Sequence, residues 1–263
     1  MELLILFLIS LICTSVGFQK LKYFTTLGMA YSIVGICLAL MFLYLEQLTP
    51  KMILLCVGII GHGLVLAAFL TIRENTNEKY VKVAKMEEND GRHTPFIVKQ
   101  GMWIAYSVFY ILLLSPLYFR LINKVSPDLG CMIGIGIMYV GILFEMISDF
   151  VKNDYKNYHP HHYCDVLMFK YMRFPNYIGE IVIWIGLYVS GFTAYQNIAQ
   201  EILSFSVLCV VTYYMLCKMK ELEKLQNARY RQREDYKEYV KNTPVLLPFT
   251  STKTLVKWKW LQD

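Results

Sequence analysis

The residues best suited to chemistry lie between Phe169 and Gly191, where a basic loop leads into an apolar helix. Asn176, Glu180 and Trp184 follow one another at four-residue spacing in that helix. Side chains at this spacing lie along one helical face. Glu180 therefore lies about one turn inside an apolar segment, where a carboxylate is costly unless it is paired or lines a polar cavity. An acid and an amide below basic residues indicate a site for a polar, phosphorylated ligand at a membrane surface.

A second polar face lies at the end of the preceding apolar segment. Glu145 and Asp149 are separated by one helical turn, and Lys156 follows two turns later. Two acids at similar depth on consecutive antiparallel helices favour shared contacts with one ligand. The alternative is a helix end whose charges emerge into solvent. Both interpretations are open at this point.

The elements that position these residues are predicted to be membrane-spanning helices. Hydrophobic residues make up 56% of the 263 residues and charged residues only 17%, whereas soluble domains carry about 25% charged residues. We expect an all-α fold, a bundle of seven transmembrane helices that forms a single integral membrane domain over residues 1–263. The predicted spans are the apolar stretches 3–18, 27–45, 52–72, 102–119, 129–150, 177–195 and 199–217.

The distribution of basic residues predicts the orientation of this bundle. With the N-terminus outside and the C-terminus in the cytoplasm, the cytoplasmic segments hold 23 of the 26 Lys and Arg residues. Such an excess follows the positive-inside rule. The net charge of +6 then belongs to the cytoplasmic face, which suits anionic lipid or an anionic cofactor and gives no reason to expect nucleic acid. The pattern carries no signal for an oligomeric state.

The cysteines and histidines do not predict a metal site. The seven cysteines show no ligand spacing, and the HPHHYC sequence has no second ligand cluster elsewhere. We therefore expect no bound metal and no disulfide framework.

Three motifs in the second half of the chain are shared with a known family: EMISDFVK, RFPNYIGEIVIWIG and YKEYVKNTPVLLPF. Over residues 128–249 they resemble the steroid 5-alpha-reductase superfamily of membrane oxidoreductases, in a divergent form of the bacterial type. The resemblance implies a reductase that uses NADPH to reduce a carbon–carbon double bond conjugated to a carbonyl in a steroid or other apolar lipid. Residues 128–249 would form the cofactor-binding core, and residues 250–263 a basic aromatic tail at the membrane interface.

The resemblance also implies roles for individual residues. The carbonyl-activating acid of the family lies in the early spans, where Glu46 and His62 are the candidates; a structural role is the alternative for His62. NADPH would be held by the later helices and the cytoplasmic loops. The implied cofactor-binding residues are Glu145, Asp149, Lys156, Arg173, Asn176, Tyr177, Glu180, Tyr236 and Tyr239.

Two other classes of protein compete with this interpretation. An isoprenylcysteine or phospholipid methyltransferase that uses S-adenosylmethionine has a similar Arg-x-Pro-x-Tyr-x-Gly core and a terminal Tyr-x-x-Tyr before proline. A non-enzymatic membrane protein is the third class. Asp149, Asn176 and the pairing of Glu180 with Trp184 favour the reductase. The lack of a retention or transit signal favours a bacterial inner membrane over an endoplasmic reticulum.

Overall fold

A computed structural model describes residues 1–76 and 94–261 of the chain. The chain is 77% helical and contains no strand within these residues, which confirms the all-α prediction. Part of the predicted cytoplasmic charge, on residues 77–93, lies outside the described ranges. The described α-helices are α1 (Glu2–Thr14), α2 (Leu27–Leu43), α3 (Pro50–Thr76), α4 (Phe96–Leu113), α5 (Ser115–Ile122), α6 (Leu129–Tyr158), α7 (Pro175–Phe192), α8 (Ile198–Tyr230) and α9 (Glu234–Asn242).

Five of the described helical segments are long and apolar enough to cross a membrane, which indicates a multi-pass membrane protein. At most 44% of the apolar part of each segment is buried within the protein. The remaining apolar surface is exposed, as expected of helices that face lipid. The five segments are Leu21–Leu43, Pro50–Arg73, Phe96–Leu113, Leu129–Tyr158 and Ile198–Tyr230.

The predicted count of seven spans is not confirmed by the described helices. The first apolar stretch forms α1, which has 13 residues, and a short 3-10 turn that ends at Phe18. Helix α7 has 18 residues, but Asn176 and Glu180 lower its hydropathy. The predicted span 102–119 is divided between α4 and α5, because Pro116 in the first turn of α5 lacks the N–H that a continuous helix requires.

The chain divides into two compact units. Unit 1 comprises Met1–Ile135 and Leu187–Val207, and unit 2 comprises Gly136–Gly186 and Leu208–Asp263. All nine predicted cofactor-binding residues belong to unit 2. The two candidate proton donors, Glu46 and His62, belong to unit 1.

Unit 1 is stabilised by close helix packing and by buried hydroxyl groups. Helices α2 and α3 approach so closely that a Cβ at Gly63 would lie 2.8 Å from the carbonyl oxygen of Ala30. Between α1 and α4, Ser10 Oγ donates to the carbonyl oxygen of Ser107 at 2.9 Å, and the hydroxyls of Thr14 and Ser107 are 2.7 Å apart. These bonds give buried hydroxyl groups the partners that lipid cannot supply.

Candidate functional site

Helices α6 and α7 cross within unit 2 at two glycines that leave no room for a side chain. A Cβ at Gly141 would lie 2.7 Å from the backbone nitrogen of Ile183. One at Gly179 would lie 2.7 Å from the backbone nitrogen of Glu145. A four-residue step forward along α6 thus corresponds to a four-residue step back along α7. The two helices are therefore antiparallel, and Glu145 lies directly against α7.

The polar residues of the two helices are placed near this crossing. Glu145 is only 7% exposed. Asn176 precedes and Glu180 follows Gly179 in the chain, and the two share one face of α7. The Oδ1 atom of Asn176 and the Oε1 atom of Glu180 are both buried. Asp149 follows Glu145 by one turn of α6, and the antiparallel register places it at the level of Asn176 on α7. The crossing thus pairs the helix segments that carry the two predicted polar faces.

The side-chain oxygen of Asn176 is the most informative atom of this crossing. It is buried and accepts no hydrogen bond from any residue that the structure describes. A buried polar group without a partner costs about 1–3 kcal/mol. Native proteins satisfy nearly all such groups, so an exception requires a specific explanation. A ligand that donates a hydrogen bond to Asn176 would supply one.

Arg173, two residues before α7, is bound by the C-terminal part of the chain. Its Nη2 donates to Glu223 Oε1 at 2.7 Å and to the carbonyl oxygen of Lys253 at 2.6 Å. Both side chains of the ion pair are fully buried. The second oxygen of Glu223 accepts a hydrogen bond from the backbone N–H of Leu255 at 2.8 Å. Arg173 therefore fixes the start of α7, and with it Asn176.

Glu223 is not among the residues that the sequence motifs predict for the site. Glu223 continues a row of buried apolar residues at four-residue spacing on α8, after Val211, Met215 and Met219. That row places Glu223 on the buried face of the helix. An acid in line with an apolar row was the available signal that this carboxylate is buried and requires a cationic partner.

Lys156 connects the end of α6 to the loop that follows it and to α8. Its Nζ donates to the carbonyl oxygen of His162 and to the Tyr230 hydroxyl, the latter at 3.0 Å. His162 belongs to the HPHHYC sequence, and its Nε2 lies 3.3 Å from Asp235 Oδ2. Among the described residues, no group of three His, Cys, Asp or Glu side chains is arranged to hold a metal ion. The histidine-rich loop thus packs against the C-terminal helices.

Tyr236 and Tyr239 belong to an aromatic cluster. The Tyr239 hydroxyl donates to the carbonyl oxygen of Phe169 at 2.7 Å, and the Tyr236 hydroxyl donates to Asn227 Oδ1 at 2.8 Å. Both rings contact Tyr163, with centroid distances of 4.8 Å from Tyr239 and 5.1 Å from Tyr236. Burial raises the pKa of Tyr236 to about 12 and raises that of Tyr239 as well. Both phenols therefore stay protonated and act as donors at neutral pH.

The remaining predicted residues have different surroundings. Tyr177 is half-buried against Phe174, with ring centroids 6.3 Å apart. Glu46 is exposed in a short 3-10 turn after α2, whereas His62 is buried in the middle of α3. Of the two candidate proton donors, only His62 has the burial expected of an acid in an apolar pocket.

Residues 12–243 match a family model described as protein of unknown function (DUF1295). The match extends over most of the chain, and this family is related to the steroid 5-alpha-reductase superfamily. No curated protein and no solved structure matches the chain significantly. The chain therefore belongs to the DUF1295 family.

Proposed function

We propose that the protein is a divergent member of the steroid 5-alpha-reductase superfamily. It would be a membrane-embedded reductase that uses NADPH to reduce a carbon–carbon double bond conjugated to a carbonyl in a steroid or another apolar lipid. The relation of its family to that superfamily supports the reaction class. The α6–α7 crossing supports the proposal most strongly, because Glu145 lies against Gly179 and the side-chain oxygens of Asn176 and Glu180, on the same helix as Gly179, are buried.

The residues at the crossing fit the nicotinamide end of NADPH. A carboxamide has two N–H donors and one acceptor, and the Asn176 Oδ1 atom accepts no bond from the described residues. Asn176 would therefore accept one of the two donors. The proposed role of the Glu180 carboxylate, one turn further along α7, is to accept the other and so set the orientation of the ring. When bound, NADPH supplies a hydride to the far carbon of the conjugated double bond. The close contact of Glu145 with Gly179 would exclude water from that side.

The other proposed cofactor residues would form the wall of the site. Arg173, Lys156, Tyr236 and Tyr239 already make hydrogen bonds within unit 2. We therefore expect them to hold the shape of the site and to contribute positive charge that attracts the cofactor phosphates. Asp149 and Tyr177 remain proposed contacts at the same end of α7.

His62 is the proposed proton donor, in preference to the exposed Glu46. Reduction of a conjugated double bond leaves negative charge on the carbonyl oxygen, and an acid beside that oxygen stabilises the charge. The basic residues support an orientation with the N-terminus outside, the C-terminus in the cytoplasm and seven spans. The proposed location is a bacterial inner membrane, because the motifs of the chain resemble the bacterial form of the superfamily.

Ligand-dependent thermal stability tests the reaction class. A ligand that binds only the folded state stabilises it and raises the melting temperature. At a ligand concentration of a hundred times the dissociation constant, the gain in the free energy of unfolding is about 2.7 kcal/mol. We expect NADPH to raise the melting temperature of the purified protein in detergent and S-adenosylmethionine to have no effect. A rise with S-adenosylmethionine alone would instead support the methyltransferase class.

Substitutions on α7 test the site itself. Asn176→Ala and Glu180→Gln each remove an acceptor for the carboxamide, so each should abolish most of the NADPH-dependent shift while the protein without ligand still melts cooperatively. Glu221→Gln and Asn157→Ala make the same chemical changes at exposed positions of unit 2 and should retain the full shift. If both site variants keep the wild-type shift, NADPH does not bind at this crossing.

A further inference from the structure

The C-terminal segment contains a short loop with an apolar tip, residues 245–252, which we call the finger. The backbone N–H of Val245 donates to the carbonyl oxygen of Thr252 at 2.8 Å and closes the base of the loop. The Thr250 hydroxyl donates to the carbonyl oxygen of Leu247 at 2.7 Å and fixes the turn. At the tip, Leu247 is 53% exposed and Phe249 is 99% exposed. The finger thus presents two large apolar side chains away from the protein.

The backbone at the tip is strained. Phe249 has a φ of 64°, in the left-handed region that favours glycine. A bulky residue with positive φ is a genuine outlier. Such strain persists where the surrounding structure imposes it and is concentrated at functional positions. Because the Phe249 side chain is exposed, it does not contribute to the packing of unit 2. A large apolar side chain held in this position is therefore suited to a contact outside the chain.

The base of the finger is firmly attached to unit 2. The backbone N–H of Arg173 donates to the carbonyl oxygen of Pro244 at 2.9 Å. On the other side, Lys253 Nζ donates to the carbonyl oxygen of Asn242 at 2.7 Å, and Leu255 is completely buried. The tip is therefore presented at a fixed position and is not the end of a freely moving tail.

We propose that the finger inserts Leu247 and Phe249 into the boundary between headgroups and acyl chains of the bilayer that holds the protein. Residues 244–261 contain three lysines and no acidic residue, so phosphate headgroups meet complementary charge. The rings of Trp258 and Trp260 stack at 5.4 Å beside these lysines, and tryptophan is enriched at the level of the headgroups. This contact is independent of the proposed reaction.

Fluorescence in lipid nanodiscs tests the insertion, with one protein copy per disc so that a second copy cannot cover the finger. The Phe249→Trp substitution adds one tryptophan. Its fluorescence is obtained by subtracting the emission of the parent protein from that of the variant. We expect lipids brominated near the headgroup to quench this added emission and soluble acrylamide to quench it weakly. Tyr158→Trp is the matched control, at the exposed end of α6 and eight residues beyond the predicted span 129–150, and it should show the opposite pattern.

Two outcomes would overturn the proposal. One is added emission from Phe249→Trp that acrylamide quenches as strongly as that of the Tyr158→Trp control. The other concerns native Trp260, which is exposed beside the same lysines. If Trp260→Phe removes none of the parent emission that brominated lipid quenches, this part of the segment does not face the membrane.

Discussion

Glu223→Gln is expected to destabilise unit 2 by about 3–5 kcal/mol, because it leaves the buried guanidinium of Arg173 without a counter-charge. The two side chains are fully buried and joined at 2.7 Å. Arg173→Met should cost a similar amount, since the Glu223 carboxylate is then the uncompensated charge. The measurement is the free energy of unfolding in detergent micelles, from a denaturant titration.

The matched control for this ion pair lies two residues away on α8. Glu221 pairs with Lys218 at 2.8 Å, but both side chains are largely exposed. Exposed pairs contribute only about 0–1 kcal/mol, so Glu221→Gln should have little effect. A loss in Glu223→Gln no larger than the loss in Glu221→Gln would show that the buried pair does not hold the start of α7.

Gly141→Ala and Gly179→Ala are each expected to destabilise the protein by about 1–3 kcal/mol, because the added methyl group overpacks the α6–α7 contact. At both positions the nearest atoms include backbone atoms at 2.7 Å, which cannot move aside as a flexible side chain can. Separating the helices would also displace Glu145 from α7. Both variants should therefore weaken NADPH-dependent stabilisation as well as the fold, measured by melting with and without NADPH.

Gly136→Ala provides the control on the same helix. A Cβ at Gly136 would meet no atom within 4 Å, so only the higher helix propensity of alanine acts, a gain of up to about 1 kcal/mol. We expect the melting temperature of Gly136→Ala to equal or exceed that of the parent. If Gly141→Ala behaves like Gly136→Ala, the crossing is looser than the structure indicates.

The pairing of the helix segments that carry the two polar faces was predictable from the sequence. The four-residue spacing of Glu145 with Asp149, and of Asn176 with Glu180, sets each face by helix periodicity alone. The two helices are consecutive in the chain, which favours antiparallel packing. The register was not predictable, because the close approach of Gly179 to Glu145 becomes visible only when the helices are paired.

The binding of Arg173 by the C-terminal part of the chain was not predictable from the sequence, for a different reason. Its partners Glu223 and Lys253 are 50 and 80 residues away in the chain, and no local pattern specifies such a contact. The predicted tail after residue 249 contributes two buried leucines, Leu255 and Leu261, and backbone hydrogen-bond acceptors to unit 2, in addition to the exposed Trp260. Composition indicates an interfacial tail but does not show which of its residues face inwards.

The central claim is that NADPH binds against Asn176 and Glu180, and energy transfer from Trp184 tests it most directly. Trp184 lies one turn beyond Glu180 on α7, and transfer to reduced nicotinamide falls steeply with distance. We predict saturable nicotinamide emission on tryptophan excitation, which Trp184→Phe reduces far more than Trp260→Phe does, with binding verified by direct nicotinamide excitation. Absence of saturable transfer, or equal reduction by the two substitutions, would contradict the proposed site.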